Sequence, residues 1–306
     1  LIRTVLVPLD GSRMAESVLP AAAGLSHSLG ASVMLFHILE SKPPRLVHGQ
    51  PHLQSADQAQ RYLTGIARRS FPPEARVRTH VHLERSNDVA GSIAGHSEEI
   101  DFDLVVMSVH GRRGPRHLRQ GFLAQQLVSR SPASVLVFRA ERLSDDPSFR
   151  PTSLLLPLDG QPGHDRSVEI TGELALALRA HVVLLMVVPT FSTLTGRSSA
   201  ASRMFPGTTY HALDMAKEAA VEYLSGVQRR LETAGLPVTS TVLRGHPART
   251  ILRASRSFGS SLLVLGTHGR AGAEAFWFDS VASRVCNRTH LPCLLVPVAE
   301  HSHQRG

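Results

Sequence analysis

The chain has 306 residues, 42% of them hydrophobic and 19% charged, which fits a globular protein of one large or two ordinary domains. No apolar run is long enough to span a bilayer, and two cysteines, Cys286 and Cys293, make no disulfide framework; both are expected to be packed thiols. The formal charge of +8 rests on dispersed arginines with only Lys42 and Lys217 beside them, and aromatics amount to 5%, so a solvated surface is expected rather than a nucleic-acid face.

Residues Leu1–Pro8 already read as a strand and lack the basic-then-apolar layout of an export signal, so a cytoplasmic location is expected. In chain order, short Val- and Leu-rich runs predict strands over Thr4–Pro8, Ser32–Ile38, Val77–Leu83, Leu104–Ser108 and Ser134–Phe138. They continue over Ser153–Pro157, His181–Val188, Pro237–Leu243, Leu262–Gly266 and Cys293–Val298. Near-continuous apolar runs, rather than strict alternation, suit strands covered on both faces. Helical patterns fill the gaps, among them Met14–Leu29 and Ala212–Ala234. The alternation argues for parallel sheets with right-handed crossovers.

Three blocks recur in the same order. "TVLVPLDGS" at Thr4–Ser12 returns as "SLLLPLDGQ" at Ser153–Gln161. "LVVMSVHGRRG" at Leu104–Gly114 returns as "LLVLGTHGRAG" at Leu262–Gly272, and "SPASVLVF" at Ser131–Phe138 is answered by "HLPCLLVP" at His290–Pro297. The chain therefore divides into domains over 1–140 and 153–300, joined by the polar linker 141–152. The two final strands, each an exposed edge alone, are expected to lie together.

These blocks resemble the universal stress protein family in its tandem form, over nearly the whole chain. The resemblance implies two tandem doubly wound α/β domains, each with a five-stranded parallel sheet in the order 3-2-1-4-5 and helices on both faces. Ligands of such folds sit where strands one and four diverge at their carboxyl ends. Nucleotide-binding members carry G-x-x-G-x9-G-[ST] at the end of the fourth strand. The glycines let the backbone approach phosphate, and a hydroxyl at the following helix start adds a donor. The first-strand aspartate is implied to sit near ribose or Mg²⁺, and the second-strand end to help hold adenine.

In the second copy the motif keeps Gly266, Gly269 and Ser280 around His268, but Asp279 replaces its third glycine. In the first copy Ser108 replaces the first glycine and Phe122 replaces the hydroxyl, leaving Gly111 and Gly121. The site expected in the second domain comprises Leu158, Asp159, Val187, Gly266, His268, Gly269, Asp279, Ser280 and Val281; Asp10, Gly111 and Gly121 are its weaker counterparts. Plainer roles stand beside these. Gly111 and Gly269 would end strands, Ser280 or Asp279 would cap the helix through Cys286, and Asp10 and Asp159 would cap the first helix of each domain. Arg112, Arg113, Arg116 and Arg119 fit a solvated face better than an anion site. His80 and His82 would share a strand face and His48 and His52 a helical face, with no partner at zinc-site spacing. Thr190–Tyr210 is a candidate lid.

The expectation is a stress-response regulatory protein that binds ATP or ADP weakly, with or without Mg²⁺, mainly in its second domain. It would act through self-association or other proteins, without catalysis, since no Walker lysine or nucleophile–base pairing is present. The alternatives are a nucleotide-free tandem interaction module and a slow ATP hydrolase.

Overall fold

The computed structural model describes residues 2–41, 44–47, 49–86, 88–96, 100–109, 117–139, 149–161, 164–194, 204–268 and 280–298. The first half runs β1 (Thr4–Pro8), α1 (Arg13–Glu16), α2 (Leu19–Leu29), β2 (Ser32–Glu40), β3 (Leu46–Val47), β4 (Gln50–Pro51), α3 (Ala56–Ser70), β5 (Val77–Ser86), α4 (Val89–Gly95), β6 (Leu104–Val109), α5 (His117–Arg130) and β7 (Ser134–Arg139). The second half runs β8 (Ser153–Leu158), α6 (Asp165–Leu178), β9 (His181–Val188), α7 (Pro206–Thr233), β10 (Val238–Arg244), α8 (Pro247–Ser257), β11 (Leu262–His268), α9 (Val281–Cys286) and β12 (Cys293–Val298).

By its contacts the chain forms two units, Leu1–Arg150 with His290–Pro297, and Pro151–Thr289 with Val298–Gly306. In the first, parallel strands lie in the order β5-β2-β1-β6-β7, the expected 3-2-1-4-5. In the second, β10-β9-β8-β11 repeat the 3-2-1-4 part of that order. The strand expected as the second copy's fifth, β12, pairs antiparallel with β7, Leu294 opposite Leu136, and satisfies an edge that would otherwise present unpaired N–H and C=O groups.

The strands are buried because their apolar runs face helices on both sides; Leu6, Leu35, Phe36 and Leu104 in the first unit, and Leu154, Leu155 and Leu156 in the second, are fully enclosed. Helix α3 supplies Ala59, Leu63 and Ile66, spaced four and three residues apart along one face. Its counterpart α7 supplies Leu213, Ala220, Leu224, Val227 and Leu231.

Three expectations change. The helix predicted over Met14–Leu29 is two helices, because Pro20 fits only a first turn and so starts α2 afresh. The helix predicted over Ala212–Ala234 begins at Pro206, whose fixed φ suits a helix start. The helical face proposed for His48 and His52 is instead a short hairpin of β3 and β4, after which His52 is buried; His48 lies outside the described residues.

Paired clamps tie the duplicated elements together. Before β6, the Asp103 carboxylate accepts from the Arg3 and Thr4 N–H groups at 2.7 and 3.0 Å. Before β11, Ser261 Oγ accepts from the Thr152 and Ser153 N–H groups at 2.9 and 3.0 Å. On the helices, Glu16 takes a hydrogen bond from Tyr62 at 2.9 Å and pairs with Arg69 at 3.0 Å, while Asp165 pairs with Arg230 at 2.9 Å.

Candidate functional site

The pairing of neighbouring strands shows where a ligand could enter. Strand β1 runs beside β2 over all of Thr4–Pro8 but meets β6 only at Val5 and Leu6. Strand β8 runs beside β9 over Ser153–Leu158 but meets β11 only at Leu154 and Leu155. In each unit these two neighbours part towards their carboxyl ends and open the crevice at the topological switch point.

In the second unit Leu158 ends β8 and is buried, and the half-exposed Asp159 follows. Gly160 takes φ +76°, a left-handed turn geometry that favours glycine. Asp159 Oδ1 accepts from the Gln161 N–H at 2.9 Å, an Asx turn, and also lies 2.9 Å from His164 Nε2. The His164 side chain is 5% exposed and stands at the start of α6. Its ring rests on Gly266: a Cβ there would lie 2.7 Å from both Cε1 and Nδ1 of the ring. Further along the chain, Ser280 caps α9, its Oγ accepting from the Ser283 N–H at 3.1 Å, and Val281 is exposed beside it. Tyr223 of α7 completes the surroundings; burial first, then the charges of Asp159 and Asp165, pushes its hydroxyl pKa up.

The first unit fills the equivalent space differently. Asp10 Oδ1 accepts from the Ser12 N–H at 2.9 Å, and Gly11 has φ +88° with Leu53 packed against it. The β3–β4 hairpin brings Gln50 Oε1 to accept from the Arg13 N–H at 2.5 Å, which satisfies a donor at the start of α1. His52 follows, its Nε2 3.3 Å from Glu40 and its Nδ1 donating to the Leu53 carbonyl at 2.7 Å. The bond to Glu40 lifts the His52 pKa, whereas burial lowers that of His37, whose Nδ1 donates to the Leu9 carbonyl at 2.7 Å. His80 and His82 do share a strand face, each ring against His96 at 5.1 and 4.7 Å. Among the described residues no three His, Cys, Asp or Glu groups are placed to hold a metal ion.

The difference between Ser108 and Gly266 now has a physical cause. Five residues after the aspartate, the first copy has Ala15 and the second has His164. In the first copy Ser108 donates its Oγ proton to the carbonyl of Met14, the residue before Ala15, at 2.6 Å. Beside His164 only glycine fits.

Of the expected site residues, Leu158 and Asp159 stand at the end of β8, Gly266 lies on β11 against the His164 ring that Asp159 also approaches, and Val187 stands near the end of the neighbouring β9; Ser280 and Val281 start α9. His268 ends β11. Gly269, Asp279 and Gly111 lie outside the described residues, as do Arg112, Arg113, Arg116 and 195–203 of the segment proposed as a lid. Pro206–Tyr210 of that segment is the first part of α7. Gly121 sits inside α5, beyond its first turn, where helical N–H groups are already used, so it does not form an anion-binding helix start. Asp10 and Asp159 do not cap α1 and α6: Ser12 caps α1, and both aspartates close Asx turns before the helices. Sequence reasoning missed His164, Tyr223 and the hairpin around Gln50. Tyr223 was findable, since "YLTGIARR" at Tyr62–Arg69 and "YLSGVQRR" at Tyr223–Arg230 are a fourth repeated block.

The family profile described as universal stress protein matches residues 1–139 and 152–297. A universal stress protein of Mycobacterium bovis is 26% identical over 195 residues, 63% of this chain and 61% of that protein. One from Methanocaldococcus jannaschii is 34% identical over 83 residues, 27% of this chain and 49% of that protein. The matches thus span about half to three-fifths of those relatives' lengths. A crystal structure of a universal stress protein from Archaeoglobus fulgidus shares the fold at TM-score 0.66 and 14% identity, covering 97% of each chain. No helix among the described residues is long and apolar enough to cross a membrane.

Proposed function

The chain belongs to the universal stress protein family, and on that premise we propose that it is a stress-response regulator that binds an adenine nucleotide, ATP or ADP, weakly in its second domain and without catalysis. The observation that supports this reading is the parting of β8 and β11, with Asp159 following β8 and Gly266 on β11, both against the His164 ring; the family motif adds the helix start at Ser280. Backbone approach at a glycine and free N–H groups at a helix start are the elements that hold phosphate without a lysine. The arrangement fits a nucleotide only in part: the His164 ring fills the space over Gly266, and the Ser280 hydroxyl oxygen is already engaged as a cap. Weak binding follows from that partial fit. Asp279 adds a carboxylate next to the helix start in sequence, and Mg²⁺ accompanying the phosphates would offset its charge.

The same filling favours a second reading, a nucleotide-free module in which the duplicated fold serves association with itself or other proteins. Calorimetric titration of the whole chain with ATP, ADP and AMP, with and without Mg²⁺, separates the two. Nucleotide binding predicts saturable heat with ATP or ADP, strengthened by Asp279→Gly and weakened by Gly269→Val. No binding in the unchanged chain or in Asp279→Gly would leave the interaction module. Phosphate release over many turnovers that disappears in Asp159→Ala would instead make the protein an ATP hydrolase.

A further inference from the structure

We infer that His164 determines which ligands the second crevice admits: its side chain closes the place against Gly266 where a phosphate would approach the backbone, and it must leave for a phosphorylated ligand to bind. Three observations converge. The ring is nineteen-twentieths buried, although the aspartate it contacts is half exposed. It touches Gly266 so closely that a single added carbon would clash with two ring atoms. Its Nε2 also lies 2.9 Å from Asp159 Oδ1, the carboxylate that follows β8, and the residue stands at the start of α6. The glycine that elsewhere would leave room for a ligand here leaves room for the protein's own imidazole.

The closure is selective by chemistry. A phosphate needs the backbone surface at Gly266, so it competes with the ring. A nucleoside without phosphate does not. A ligand that binds only the open arrangement loses affinity in proportion to the fraction of molecules that are open. If about one molecule in ten is open, ATP binds roughly tenfold more weakly than the crevice would otherwise allow. Moving the ring also frees the Asp159 carboxylate, which repels phosphate, so the gain on removing the ring is largest with Mg²⁺ present.

This inference rests on the nucleotide-binding reading, and the test separates their failures. Full-length chain, His164→Ala and His164→Asn are titrated with ATP and with adenosine in Mg²⁺ by calorimetry, with circular dichroism to verify folding. Asn keeps an N–H donor within a shorter side chain, so it serves if the alanine variant does not fold. The expected result is roughly tenfold tighter ATP binding in the variants and an adenosine affinity within about twofold of the unchanged chain. ATP affinity that stays the same or falls, or an equal gain for adenosine, overturns the role of His164 while leaving nucleotide binding intact. Absence of ATP binding in all three proteins overturns both.

Discussion

Adding one methyl group at Gly266 tests the packing around the crevice independently of any ligand. In Gly266→Ala the new Cβ would stand 2.7 Å from His164 Cε1 and Nδ1 and 3.1 Å from Val298 Cγ2. Non-bonded carbons prefer about 3.5–4.0 Å, so the ring has to retreat by about 1 Å. It is buried, and its Nε2 sits 2.9 Å from Asp159, so retreat both crowds the core and stretches that contact. Overpacking of this kind costs about 1–3 kcal/mol, and stretching the polar contact to the half-exposed Asp159 adds at most about 1. Against this, replacing glycine with alanine restricts the unfolded chain and returns about 0.4–1 kcal/mol. The net expectation is a loss of about 1–3 kcal/mol, a drop of roughly 3–10 °C in the melting temperature of the second unit. With the ring gone, in His164→Ala, the same methyl should be neutral or slightly stabilising. Urea unfolding of the four proteins, followed by circular dichroism, closes a double-mutant cycle whose coupling should be about 2 kcal/mol. Equal destabilisation by Gly266→Ala in both backgrounds would refute the packing account.

Two further outcomes follow from the first unit. His52 has a raised pKa, so its contribution is complete below the ordinary value of 6.5 and is lost as pH rises through its folded pKa; His37 has a lowered pKa, so its contribution is lost as pH falls below 6.5. Urea midpoints measured against pH should therefore peak near 6.5 for this pair, and Glu40→Gln should flatten the alkaline limb; an unchanged limb would contradict the assigned role of Glu40. Asp103→Ala should destabilise the first unit by about 1–3 kcal/mol, because it strands the Arg3 and Thr4 N–H donors, the latter buried. Asp103→Asn, which keeps an acceptor oxygen, should retain most of that stability in the same unfolding assay, and an Asp103→Ala variant as stable as the unchanged chain would refute the clamp.

Sequence alone determined the duplication and the strands, since these rest on local patterns repeated along the chain, while their order was implied by the resemblance to the family. Apolar runs such as Val5–Val7 and Leu154–Leu156 announce strands covered on both faces, and the strands recur with the same neighbours. The cap at Ser280 was legible too, because capping is decided within one helical turn. Only the tertiary structure decided what fills each crevice. Gly266 reads along the chain as a phosphate-binding glycine, and nothing local to it reveals that His164, far away in sequence, takes its space. Ser108 likewise makes sense only beside the Met14 carbonyl, and the donor at Arg13 only beside Gln50. The physical reason is that a glycine records room without recording its occupant. Which group enters that room depends on the excluded volume and hydrogen bonds of side chains that the folded chain alone brings together.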